Sequence, residues 1–323
     1  DHETKSFSQP ITIATNPIGT DFHGAPAMVI DPRGYIHIFY GSHMSDQYYI
    51  RSLNPEDITS WTSPKVIAGD ATYPIARYHN GTIYVFFRGP VLNRHSYVYS
   101  SDGGETWSDT VTYIDFGANY SIYVANIILD SQGRFHVVWT VFNWTNHVRQ
   151  HVYYAWSPDP KWIYYSNTDV TYYMQAHAVD ITIDQNGNPV ILYQRIINET
   201  GDGELVYRFA VWNGTAWEHH DIAEGMAWMS WGRGALEEAN GVLYAYLIID
   251  RQIIHAYTTD YINWSFEPMV GRILSSPRER DIDSIQLVRM VKNMRSFRHA
   301  AARVLKKEMP EAETEFTVEP SYK

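Results

Sequence analysis

Five glycine-containing turns recur along the chain at a nearly constant interval: Asp31-Pro-Arg-Gly34, Asn80-Gly81, Asp130-Ser-Gln-Gly133, Asp184-Gln-Asn-Gly187 and Asn240-Gly241. Their glycines stand 47, 52, 54 and 54 residues apart. A tryptophan follows each turn after 23–30 residues, at Trp61, Trp107, Trp162, Trp217 and Trp264. A period near 50 residues with one turn and one late Trp per unit specifies the blades of a propeller, each a four-stranded antiparallel sheet. The strands of a unit can be read directly. "APAMVI" precedes the first turn, "YIHIFYG" follows it and "QYYIRS" comes next; the fourth unit repeats the plan as "AVDITI", "PVILYQ", "VYRFAVW" and the strand at Trp217. The near-continuous apolar runs fit strands buried on both faces between neighbouring blades.

The fold class is therefore all-β: a β-propeller of about five four-stranded blades within residues 1–270, followed by a basic helical extension over 271–323. Residues 7–15, "FSQPITIAT", are expected to supply the outer strand that closes the ring against the last blade. From Asp281 to Lys307 the pattern predicts an amphipathic helix with Leu287, Val291, Met294, Phe297, Ala301, Val304 and Leu305 on one stripe. Asp281 and Asp283 near its start and Lys306 and Lys307 near its end suit the helix dipole. Such a helix is suited to pack under the propeller, or to dock to a second copy or a protein partner.

Charge narrows the partners. The chain carries a net −11, split as −14 over residues 1–270 and +3 over 271–323. That balance argues against nucleic-acid binding by the main body. No apolar stretch approaches the roughly 18 residues of a membrane span. With no cysteine, a disulfide framework and a thiolate metal site are excluded. Among the 14 histidines only His147 and His151 have H-x-x-x-H spacing, and they fall in a loop and strand rather than on a helix, so the spacing supports no dedicated zinc site, and no cofactor is expected. N-x-[ST] sequons begin at Asn80, Asn119, Asn143, Asn198, Asn213 and Asn263 and are read as glycosylation acceptors. Two of them, Asn80-Gly81 and Asn213-Gly214, are also hairpin turns whose Asn-Gly serves positive φ. The sequons, together with a first residue that is not Met, lead to the expectation of an extracellular or cell-surface protein.

Residues 100–107, "SSDGGETW", fit the Asp-box S-x-D-x-G-x-T-W. Its Asp caps a tight turn, its Gly supplies unusual φ and its Trp packs between strands, so the motif marks architecture rather than chemistry. A sialidase also needs an arginine triad and an activated Tyr; the strand "YPIARYHNG" of the same blade lacks the Arg-Ile-Pro opening. A sialidase is disfavoured.

Taken together, "DPRGYIHIFYGSH" (31–43), "TYP" (72–74), "VFFRG" (85–89), the Asp-box, "GRFHVVWT" (133–140) and "DQNGNPVILYQ" followed by "VYRFAVWNGTAW" resemble the neuraminidase-repeat (Asp-box, BNR) propeller family that includes the propeller-type ulvan lyases. The resemblance implies a polysaccharide lyase that cleaves a uronate-containing sulfated polysaccharide by β-elimination. Such chemistry removes the C5 proton while the adjacent carboxylate is neutralised. The implied catalytic positions are Asn126, His147, Tyr193 and Arg208, with Asn126 as neutraliser and Tyr193, activated by Arg208, as base. His23, His43, Arg88 and His177 are further channel-facing candidates for binding the acidic polysaccharide or glycan. The sequence departs from the family in three ways. Ulvan lyases of this type have seven blades, their loop after the "HVVWT"-like strand carries Gly-His-Pro where this chain has Thr145-Asn146-His147-Val148, and the basic tail is foreign to them.

Two other readings remain open at this point. A five-bladed glycoside hydrolase resembling arabinanases would use channel carboxylates such as Asp21, Asp180 and Glu237. A non-catalytic surface propeller would bind glycan or assemble with a partner through the 281–307 helix.

Overall fold

The computed structural model describes residues 9–268, apart from 20, 22, 24, 159–167, 175, 197–204, 226–233 and 250–251. The expected 281–307 helix, Trp162 and Asn198 lie outside the described residues.

Five antiparallel blades follow one another along the chain. The first comprises β1 (Ala27–Ile30), β2 (Ile36–Tyr40), β3 (His43–Arg51) and the opening part of β4 (Lys65–His79). β4 runs on as the first strand of the second blade, with β5 (Thr82–Arg88), β6 (Arg94–Ser100) and β7 (Val111–Asp115), so these two blades form one seven-stranded sheet. The third blade is β8 (Tyr120–Leu129), β9 (Phe135–Asn143), β10 (Val148–Ser157) and β11 (Thr168–Met174). The fourth is β12 (Ala176–Ile183), β13 (Pro189–Ile196), β14 (Leu205–Trp212) and β15 (Trp217–Gly225). The fifth is β16 (Ala235–Ala239), β17 (Val242–Ile249), β18 (Gln252–Thr258) and β19 (Ser265–Pro268).

Alternation along each strand explains why the apolar runs are unbroken. On β9, Val137, Trp139 and Val141 pack toward the second blade with Tyr84, Phe86 and Tyr97, while Val138 packs toward the fourth with Ile191 and Tyr193. On β13, Ile191 and Tyr193 face the third blade, and Val190 and Leu192 face the fifth. Side chains point to opposite faces at every step, so a strand sandwiched between blades must be apolar at nearly every position. The core is thus a series of inter-blade seams.

Residues 9–15 form no strand. The expectation that segment 7–15 closes the ring is therefore not met over these positions; residues 7 and 8 lie outside the described residues. Pro10 removes a ladder donor from the segment. The chain instead lays Pro17 onto Gly41, whose φ is +83°, where a Cβ would meet Pro17 Cδ at 2.6 Å. Of the sequon asparagines, Asn80, Asn119, Asn213 and Asn263 are exposed and Asn143 is half-buried.

The Asp-box closes the turn between β6 and β7. Asp102 accepts hydrogen bonds from the backbone N–H groups of Glu105 and Thr106 and from the hydroxyls of Ser100 and Thr106. Gly104 is irreplaceable in this geometry, because a Cβ there would lie 1.9 Å from the Tyr49 hydroxyl oxygen. Trp107 packs edge-on against Phe39 and Tyr49 of the first blade, with ring centroids 5.7 and 5.0 Å apart.

Because strands alternate in direction, the turn between the first and second strands of a blade and the turn between its third and fourth share one end of the propeller. The Asp-box lies at that end. At the other end, the start of the first strand meets the finish of the second, as in the pairs Thr72 with Arg88 and His177 with Gln194. The first strands β1, β4, β8, β12 and β16 lie beside one another in chain order.

Hydrogen bonds tie these first strands together across the axis. Arg77 on β4 donates to the Asn126 side-chain oxygen (2.5 Å) and to the Ile127 carbonyl (2.5 Å) on β8. Asn126 donates to Asp180 on β12 (2.6 Å). Asp180 accepts the N–H of Ile181 (2.8 Å) on its own strand and that of Leu236 (2.7 Å) on β16. Four blades are thus joined through one buried polar chain. Asp180→Ala would leave Asn126 and the Leu236 N–H unsatisfied beside a buried cation. The expected loss is about 3–5 kcal/mol, measured as a lower urea midpoint with the slope unchanged.

Candidate functional site

At the end of the propeller where first strands begin, one cluster of polar and aromatic side chains forms around Arg88, the last residue of β5. Its guanidinium carbon lies 4.8 Å from the ring centroid of Tyr73 and 5.1 Å from that of Tyr123. Tyr73 sits in β4 with φ at +59°, a left-handed conformation that is strained for an aromatic residue. From there its ring reaches both Arg88 and His23, the latter at 5.3 Å. His23 stacks on His43, the first residue of β3, at 3.8 Å. On the other side, Tyr123 lies 6.4 Å from His177 near the start of β12. The structure therefore brings His23, His43, Arg88 and His177 into one constellation, with Tyr73 and Tyr123 as its connecting members.

Arg88 differs from the other described arginines that lie near acids. Arg33 pairs with Asp31, Arg51 with Glu105, Arg94 with Asp115, Arg134 with Asp130 and Arg208 with Asp221. Arg88 is only 4% exposed, yet among the described residues no carboxylate faces it, and its buried Nε has no hydrogen-bond partner. Two tyrosine faces stabilise a cation by about 0.5–2 kcal/mol each but accept no in-plane hydrogen bond from it. A buried guanidinium held this way is suited to receive an anion from outside.

The surrounding charges are consistent with that role. Partial burial would raise the Asp21 carboxyl, but the His23 backbone N–H and the rings of His23 and His43 overcome this and hold it well below the usual range. Burial lowers His23 despite the opposing pull of Asp21, with the neighbouring His43 and Arg88 adding to the effect. His177 Nδ1 lies 2.7 Å from the Ala178 carbonyl. A nitrogen facing a carbonyl must carry the proton, so Nε2 is the basic nitrogen of the neutral ring.

The residues implied as catalytic are placed differently. Tyr193 and Arg208 face each other as a cross-strand pair on β13 and β14, with the guanidinium carbon 5.9 Å from the ring. Tyr193 is fully buried in the seam between the third and fourth blades, and its hydroxyl is 3.0 Å from His219 Nδ1 on the outer strand β15. Burial lowers His219, and the Arg208 charge adds to this. His147 has φ at +55° in the exposed turn between β9 and β10, with its ring 6.3 Å from Phe142. That turn lies at the same end of the propeller as Arg88. Asn126 is committed to Arg77 and Asp180, and its partner Asp180 is one of the acids considered for a hydrolase.

Tyr73 and Tyr123 were not singled out from the sequence, although a usable signal existed. Tyr123 and His177 occupy equivalent places at the starts of successive first strands, each opposite the end of the second strand.

Five four-stranded blades with a polar cluster at one end of the axis define a β-propeller of the repeat type. More specifically, the chain belongs to the family described as BNR repeat-containing, which matches residues 2–225. The family expected from the motifs is thus the family found. The chain is 34% identical to an ulvan lyase of Alteromonas sp. (strain LOR) over 35% of its own length and 28% of that protein. It is 30% identical to an ulvan lyase of Nonlabens ulvanivorans over 35% of its length and 29% of that protein. The matched region thus spans less than a third of these relatives. Among solved structures, a PL25 ulvan lyase bound to -[GlcA(1-4)Rha3S]- superposes with a TM-score of 0.65 at 20% identity, covering 77% of this chain and 70% of that one. This last likeness shows the fold.

Two buried histidines make the fold sensitive to acid. Burial lowers His37 to about 4, against the pull of Asp31, and lowers His95 to about 3, with Arg88 adding to the effect. Below the unfolded value of 6.5 the unfolded chain binds protons that these rings refuse. Their contribution is therefore complete above pH 6.5 and is lost as pH falls toward 4 and 3. Each histidine should cost on the order of 2 kcal/mol at pH 5 relative to pH 7. Urea melts of the protein and of His95→Gln should show a smaller acid loss in the variant.

Proposed function

We propose that this propeller is an extracellular polysaccharide lyase that cleaves a uronate-containing, sulfated polymer by β-elimination. The observation that carries the reading is Arg88: a buried cation held against two tyrosine rings, facing no carboxylate among the described residues, at the end of the axis where the histidines gather. The similarity to ulvan lyases supports the same reaction class.

In this reading the uronate carboxylate pairs with the Arg88 guanidinium. His177 Nε2 takes the C5 proton, and the C–H electron pair becomes the C4=C5 double bond. The bond from C4 to the glycosidic oxygen breaks, and the leaving oxygen takes a proton from the Tyr123 hydroxyl. Arg88 tolerates the charge that builds on the carboxylate as C5 is deprotonated, which is the costly part of the reaction. Arg88 thus takes the neutralising role first considered for Asn126, whose amide is engaged by Arg77 and Asp180. His147 and Arg208 extend the same end of the third and fourth blades and would contact neighbouring sugars of the polymer, while Tyr193 is buried in the seam between the blades.

Incubation with uronate polymers should yield an unsaturated product that absorbs in the ultraviolet. Arg88→Ala should lower kcat/KM by about 10²–10³-fold in protein that circular dichroism shows to be folded, and Arg208→Ala should act mainly on KM. Polymer binding with no product would mean a non-catalytic glycan-binding propeller. A product of hydrolysis, lacking the double bond, would mean a glycoside hydrolase.

A further inference from the structure

We propose that Asp21, His23 and His43 form a binding site for one divalent transition-metal ion, with Zn2+ as the matched probe. The two imidazoles present Nδ1 to the two oxygens of the Asp21 carboxylate, each at 2.5 Å. Their rings lie face to face, 3.8 Å apart and 12° from parallel, so both nitrogens project from the same side of the stack. All three donor atoms fall within 4.8 Å of one another, and among the described residues no other such group of His, Asp or Glu is found. Two imidazole nitrogens and one carboxylate oxygen are a donor set suited to zinc. Three protein ligands leave a coordination position for water or a substrate oxygen.

The local fold holds these donors in place. Asp21 caps the His23 N–H (3.0 Å), fixing the Asp-x-His stretch. The His43 N–H donates to the Ser45 hydroxyl (3.1 Å), and the next N–H, of Met44, donates to Thr72 Oγ1 (2.8 Å) on β4. The Asp21, His23 and His43 side chains are 31%, 24% and 34% exposed, open enough for an ion to enter. The ligands come from separate stretches joined by the fold, which is why helical ligand spacing in the sequence did not reveal them.

The site adjoins Tyr73 and the field of Arg88. If the lyase reading above holds, an ion here shares neutralisation of the acidic sugar with Arg88. Binding of the ion itself does not depend on that reading.

Equilibrium dialysis of the full chain against Zn2+, with metal quantified by mass spectrometry and Ca2+ as the comparison ion, tests the site directly. The expected result is one Zn2+ per chain, not displaced by millimolar-range Ca2+, and at least about a tenfold weaker affinity in Asp21→Asn and in His43→Ala. Circular dichroism checks that each variant folds, and His23→Gln replaces any that does not. No saturable binding at one equivalent, or the same affinity in the folded variants as in the parent, overturns the site. Absence of lyase product with zinc bound would count only against the proposed reaction.

Discussion

The chain of hydrogen bonds from Arg77 through Asn126 and Asp180 to the Leu236 N–H is the constraint on which the rest of the structure depends. A propeller has little to hold its first strands together near the axis, because their backbone groups pair outward within each blade. Side chains from adjacent blades fill that gap here, with a cation and a carboxylate bridged by an amide that satisfies both. Such a network is costly to leave half-made. It therefore fixes the spacing between β4, β8, β12 and β16, and so the distances between the side chains at their starts.

The cluster around Arg88 is built on that spacing. Tyr73 comes from β4, Tyr123 from β8 and His177 from β12, one from each of three successive first strands. Several other arginines are neutralised by acids, and Arg33 and Arg134 each turn back onto the Asp of their own turn. In a protein of net charge −11, a buried arginine facing no acid among the described residues is a departure from this habit. It agrees with a binding partner that brings its own negative charge.

The fold was legible because its determinants are local and repeated. Glycine turns and late tryptophans recur with the blade period, and the Asp-box turn is satisfied almost wholly within residues 100–106. The segment 7–15 misled because alternating Ile and Thr read as a strand, whereas a strand also needs a partner edge, and residues 9–15 pair with none. The site was harder to read. Candidate residues could be named from their places at strand ends, but the sequence does not say which face a side chain takes. Tyr193 looks available as a base from its position beside Arg208, yet alternation sends its ring into the seam between blades and its hydroxyl to His219. Asn126 looks equally available until Arg77 and Asp180 are seen to engage its amide.

The central claim is that Arg88 receives the acid group of a sugar. A crystal structure of the protein with a uronate-containing oligosaccharide tests it most directly. The account predicts a uronate carboxylate within hydrogen-bond distance of the Arg88 guanidinium. An oligosaccharide bound with its carboxylates elsewhere, leaving Arg88 untouched, would contradict it.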